Sequence, residues 1–156
     1  MIEIDEADVR ILDALQADGS LSVNALAEIV HLSSNACWRR MKRLEECGAI
    51  SRRVTLVNPD LLGVPMTIFV TMRAKEHSQE WLLRLVEVVK SIKNVVEFYR
   101  IAGDVDYILK LRVKDIAEYD QVYKAIITKV EIADISASFS MEEIIYTTAV
   151  PLRPTK

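Results

Sequence analysis

Between Ser33 and Arg53 the chain carries six cations, Arg39, Arg40, Lys42, Arg43, Arg52 and Arg53, against two anions, Glu45 and Glu46. That is a local excess of four charges in a chain whose formal charge is −3. Clustered cations in an acidic protein suit a polyanion, through charge-assisted hydrogen bonds to phosphate or paired bonds to base edges. Asn35 and Arg39 are the side chains able to make such paired bonds, Asn with adenine and Arg with guanine. Lys42 and Arg43 suit phosphates. Trp38 stands among them, and an exposed Trp on a helix is costly unless something covers it. The expected contact set for duplex DNA is Ser33, Ser34, Asn35, Trp38, Arg39, Lys42, Arg43, Arg52 and Arg53. A charged helical face is more often a solvated face, unless the elements that carry these residues present them to a partner.

Those elements read as two helices at a tight turn. Ser22 is placed to cap the first, whose apolar positions Leu26, Ile29 and Val30 recur at helical spacing. The chain breaks at His31-Leu32, and Ser33 or Ser34 caps a second helix running to Cys47. Gly48 then supplies a left-handed C-terminal cap. At roughly 100° per residue, Cys37, Met41 and Leu44 fall within about a 60° arc and form the buried stripe. Asn35, Arg39 and Lys42 project from the opposite side, flanked by Trp38 and Arg43. Arg40 lies nearer the stripe and is expected to pair with an acid of the preceding helix. A helix-turn-helix puts such a face into the major groove, N-terminal turn foremost. The turn often takes a glycine at positive φ, which His31 tolerates only moderately well. Upstream, Asp5 caps a further helix with Asp8 at its third position and Ile11, Leu12 and Leu15 on its apolar face. Downstream, Ile50 to Val57 reads as a short strand, a wing carrying Arg52 and Arg53 to flanking phosphates. Asn58-Pro59-Asp60 is the clearest break, dividing the chain into domains 1–60 and 61–156.

The second half has another rhythm: strand from Val64, helix from Ser78, strand from Val95, strand from Tyr107, helix from Asp115, and extended chain from Ile132, with a tail strand from Tyr146. This β-α-β-β-α-β order is that of a ferredoxin-like domain. The fold class is therefore α+β, a winged helix-turn-helix head followed by a ferredoxin-like module. Two helices cover one sheet face, and Phe98, Ile108, Leu111 and Phe139 are expected to make the other apolar enough to need a second subunit over it. The two cysteines, Cys37 and Cys47, lack metal or redox spacing, and two histidines are too few for a zinc centre, so no metal and no cofactor is expected. No apolar run approaches the ~20 residues of a membrane span and no secretory leader is recognised, so the expected compartment is the cytoplasm.

Taken together, the motifs resemble those of the Lrp/AsnC (feast/famine) family of transcriptional regulators. In the head these are Asp5-x-x-Asp8, Ile11-Leu12, Leu15-Gln16-x-Asp18-Gly19, Leu26-Ala27, Leu32-Ser33 and Arg40-x-x-Arg43-Leu44-Glu45-x-x-Gly48-x-Ile50. In the back half they are Gly103-Asp104-x-Asp106-Tyr107 and Tyr146-Thr147-Thr148-Ala149 after a serine-rich strand. His31, where the family usually has glycine, is the main departure. The resemblance implies a homodimer with paired heads, assembling further to an octamer, and DNA binding or assembly tuned by a small molecule, most often an amino acid. It places that effector against Gly103, Asp104, Asp106 and Tyr107, with Ser136 and Ser138. A turn at Gly103 would offer N–H groups to a carboxylate and an Asp would hold an α-ammonium. The plainer reading is that Gly103-Asp104 is a hairpin turn and Asp106 braces the loop. Two alternatives stand beside the regulator. Sirohaem decarboxylases resemble the family and use the same fold, but would be expected to offer histidines where this second half has only His77, so no enzyme is expected. An effector-sensing oligomer that has lost DNA binding would not be expected to keep Asn35, Arg39, Lys42, Arg52 and Arg53.

Overall fold

A computed structural model describes residues 3–155; Met1, Ile2 and Lys156, the ends of the two expected domains, lie outside the described residues. The chain forms two compact units, one of the residues up to Leu56 with those from Ile145 onward, the other of Val57–Ile144. The C-terminal tail thus counts with the head, where the sequence had grouped it with the second domain. No helix is long and apolar enough to cross a membrane among the described residues.

The head has three helices, α1 (Glu6–Ala17), α2 (Val23–Ile29) and α3 (Ser34–Glu46). Each starts where a side chain satisfies an orphan backbone donor. Asp5 and Asp8 make a reciprocal capping box, Ser22 Oγ accepts from Ala25 N–H, and Ser33 Oγ accepts from Ala36 N–H. Between α2 and α3 the backbone turns through His31 at φ 56°, and α3 ends in Gly48 at φ 79°, both left-handed. Ile11, Leu26, Ala27, Val30, Cys37, Met41 and Leu44 close the core. Ile29, expected inside, is 53% exposed. Residues 51–57 form no strand, and Val54, Leu56 and Val57 are exposed. A lone extended segment lacks ladder partners within one chain. The tail forms no strand at Tyr146 either; Val150 N–H donates to Gln16 Oε1 (2.7 Å), Gln16 Nε2 donates to Val150 O (3.1 Å), and Thr155 bridges to Ile4.

The second unit alternates as expected: β1 (Met66–Ala74), α4 (Gln79–Lys90), β2 (Val95–Arg100), β3 (Tyr107–Val113), α5 (Ile116–Ile127) and β4 (Ile132–Phe139). The strands form one antiparallel sheet in the order β2-β3-β1-β4. Ile68, Val70, Met72, Leu109 and Leu111 face Trp81, Leu85, Val89, Val122 and Ile126 of the two helices. The other face differs from expectation. Ile108 and Leu111 lie three apart in an unbulged strand, so alternation puts them on opposite faces. Leu111 is fully buried under the helices. Phe139 pairs with Ile68 and sets its ring edge-on to Tyr119 of α5, while Phe98 stacks on core Tyr107. A register shift between Val95 and Glu97 turns both Val95 and Phe98 toward the core. The open face is instead formed by Phe69, Thr71 and Ile108 with Ser136 and Ser138, bordered by a Glu97–Lys110 pair (3.1 Å).

Candidate functional site

In the head, the cations of α3 separate by angle. Arg40 Nη1 reaches Asp5 (2.7 Å) and Asp8 (2.8 Å), and Arg43 pairs with Asp8 while donating to the Glu3 carbonyl (3.3 Å). Asp8 is fully buried at the junction of α1 and α3, its carboxylate shared between Arg40, Arg43 and the Asp5 N–H. A buried carboxylate must be paired, and two guanidinium groups do so here. The Asp8 N–H, followed by the Arg40 guanidinium, holds the Asp5 carboxyl down at about 2. The arginines are correspondingly pushed up, Arg40 chiefly by its hydrogen bond to Asp5 and Arg43 by its bond to Asp8. Arg43, read from sequence as a phosphate contact, is thus engaged in fixing α3 on α1. The reason is angular: Arg40 and Arg43 lie three residues apart, as do Asp5 and Asp8, so two acids meet two bases across the helix pair. Only the Arg40 half of this clamp was expected.

What remains outward is a continuous stripe at positions 35, 38, 39 and 42. Asn35, Trp38, Arg39 and Lys42 are all exposed, opposite buried Cys37, Met41 and Leu44. Arg39 has no ion-pair partner among the described residues, and Lys42 keeps a loose one, Glu46 at 3.7 Å. The Lys42 ammonium also sits 5.4 Å from the centre of the Trp38 ring. Ser33 is occupied as a cap, and Ser34 is exposed on the first turn. Arg52 and Arg53 are exposed beyond α3, and Arg53 reaches back to Glu45 at 3.2 Å.

In the second unit, the loop between β2 and β3 is held by its own chain. Gly103 has φ 149°, a conformation L side chains rarely adopt, and it and Asp104 are exposed. The Asp104 carbonyl accepts from Arg73 Nε (2.7 Å), and Asp106 Oδ2 accepts from Ala74 N–H (2.8 Å). Asp106 N–H donates to Met72 O (3.0 Å), and its own carbonyl accepts from Ile101 N–H (2.9 Å). Tyr107 is only 3% exposed, its ring between Trp81 and Phe98. Asp106 and Tyr107 therefore brace the loop and fill the core, leaving Gly103 and Asp104 outward. Ser136 and Ser138 face the same side as their partners Thr71 and Phe69, two and four positions from Arg73 on β1. Arg73 was missed by sequence reasoning, and no local signal marks it, because its partner lies 31 residues away.

A three-helix head with an outward basic stripe, joined to a ferredoxin-like module with a presented loop, defines a helix-turn-helix DNA-binding regulator with an appended ligand-binding module. Two family models agree, the winged helix-turn-helix DNA-binding family over residues 4–51 and the Lrp/AsnC ligand binding domain over residues 67–150. The chain belongs to the Lrp/AsnC family of transcriptional regulators. It is 47% identical to a glutamate uptake regulatory protein of Zymomonas mobilis, covering 98% of this chain and 93% of that one. It is 41% identical to the DNA-binding transcriptional activator DecR of Escherichia coli, covering 96% and 99%. Among solved structures, an AsnC family regulator from Agrobacterium tumefaciens superposes with a TM-score of 0.91 at 50% identity, covering 94% of this chain and 96% of that one. A regulator from Neisseria meningitidis in complex with L-methionine gives 0.89 at 26% identity, again covering 94% and 96%.

Proposed function

We propose that the outward stripe of α3 enters the major groove, with Asn35 and Arg39 on base edges and Lys42, Arg52 and Arg53 on flanking phosphates. The observation that carries this reading is the exposed row Asn35, Trp38, Arg39 and Lys42 on a helix whose remaining cations are clamped by Asp5 and Asp8. Ser33 and Ser34 lie at the leading turn, where backbone N–H groups approach phosphate. The chain works as a homodimer, so its sites are pseudo-palindromes with half-sites about one helical turn or a multiple apart. The open sheet face around Phe69, Thr71 and Ile108 is the dimer surface, and the family's octamer is its further assembly.

The second module takes a small effector, an amino acid, on the side bearing Gly103, Asp104, Ser136 and Ser138. The ligand-binding family model and the neighbour solved with L-methionine support this, as does the chemistry of a glycine turn beside a carboxylate. Regulation without catalysis in the cytoplasm is the corresponding role, and the curated relatives are named regulators. The test is a salt-varied anisotropy titration of a duplex enriched by the protein from a randomised pool, against a scrambled duplex, with and without the twenty amino acids. Preferential binding that weakens steeply with salt and responds to the amino acids is expected. Arg39→Ala with Lys42→Ala should abolish the preference; unchanged affinity in that double variant overturns the assigned face.

A further inference from the structure

We infer that Trp38 reads thymine, by packing its indole against the 5-methyl group in the major groove; this rests on the DNA reading above and adds a base identity to it. Trp38 is 49% exposed and is absent from the residues packed against the head core. The fold therefore keeps its largest side chain on α3 outside its own interior. Exposing that much aromatic surface is unfavourable unless a partner removes it from water.

The placement identifies the partner. Trp38 lies three residues after Asn35 and four before Lys42, at one edge of the outward row, about 60° around the helix from Asn35 and about 40° from Lys42, so its indole meets the groove beside the base edges that Asn35 faces. The indole offers one N–H donor and a broad apolar surface. Base edges in the major groove are arrays of donors and acceptors, and the one apolar group among them is the thymine methyl. The Lys42 ammonium lies 5.4 Å from the ring centre, a cation–π contact one helical turn on that restrains the indole. Contact with the methyl distinguishes thymine from uracil, which presents the same O4 acceptor without the methyl.

The experiment replaces each thymine of the enriched duplex in turn by deoxyuridine, which deletes only the methyl, and titrates the full chain on each. One thymine per half-site should respond. Losing one methyl should weaken wild-type binding about fourfold, and losing both symmetry-related methyls about 15-fold. Trp38→Ala should bind more weakly but give the same affinity for both duplexes, while Asn35→Ala should keep the thymine-to-uracil ratio. A wild type that prefers the enriched duplex yet changes less than twofold at every thymine overturns the inference and leaves the DNA reading intact. So does a Trp38→Ala protein that keeps the ratio. No preference for the enriched over the scrambled duplex overturns both readings together.

Discussion

Replacing Asp8 by alanine tests whether the buried carboxylate is what seats α3. The side chain is fully buried, while Arg40 and Arg43 are 32% and 45% exposed, so the change removes the common acceptor of two partly hydrated cations and of the Asp5 N–H. Breaking a fully buried ion pair costs about 3–5 kcal/mol because a charge is left stranded. Here the stranded groups can turn to water, and the alanine no longer carries the carboxylate's desolvation cost. The net loss is therefore smaller, about 2.5 kcal/mol, equivalent to roughly 70-fold in the opening equilibrium of the head. The two units call for a local readout. Amide hydrogen exchange along α1 and α3 should accelerate by that factor while β1 and β3 keep their rates. Asp8→Asn, which keeps an acceptor but no charge, should fall between the two. Acceleration of less than about fivefold in α3 would mean that desolvation offsets the network and that apolar packing alone seats the helix.

Other outcomes follow from the same geometry. Asp5 is depressed from 3.8 to about 2, so its contribution is fully present above pH 4 and is lost as pH falls through about 2. With the side chain 48% exposed, screening leaves about 1 kcal/mol, visible as faster α1 exchange on acidification that Asp5→Asn abolishes. His31→Gly, relieving φ 56°, should raise head stability by up to about 1 kcal/mol in denaturant unfolding, and a loss would show that the His31 side chain makes a contact worth more than the strain. Asp106→Ala should cost the second unit about 1.5 kcal/mol by stranding the Ala74 N–H. Asp106→Asn, which retains an acceptor, should bind effector normally by calorimetry; loss of binding there would make Asp106 a direct ligand.

The sequence made the head legible because its signals are local. Capping serines and aspartates act within three residues, and the stripe of Cys37, Met41 and Leu44 is a property of one helix. The α/β alternation of the second unit was legible for the same reason. What escaped depends on pairing between distant segments. The face reached by Phe139 is set by its register with Ile68, and that of Phe98 by the irregularity after Val95. Leu111 and Ile108 lie an odd number of residues apart, so strand alternation alone separates their faces. The wing segment carries alternating apolar residues, but a strand needs a partner, and pattern does not supply one.

Residue type alone does not say what a cation is available to do. Arg39 and Arg40 are neighbours in sequence with the same chemistry, yet the turn of about 100° between them points one outward and the other onto Asp5 and Asp8. Counting six cations overstates the charge offered to a polyanion, because neutralised arginines release no counterions. On the proposed major-groove reading, the clamp also serves recognition. A base-reading row is useful only if its helix is held in one orientation, and removing the anchoring pair lets Asn35, Trp38 and Arg39 sample poses that no single operator satisfies. Loss of Asp8 should therefore weaken preference for the enriched duplex more than it weakens affinity for a scrambled one. Phosphate contacts tolerate such rotation, whereas paired hydrogen bonds to base edges do not.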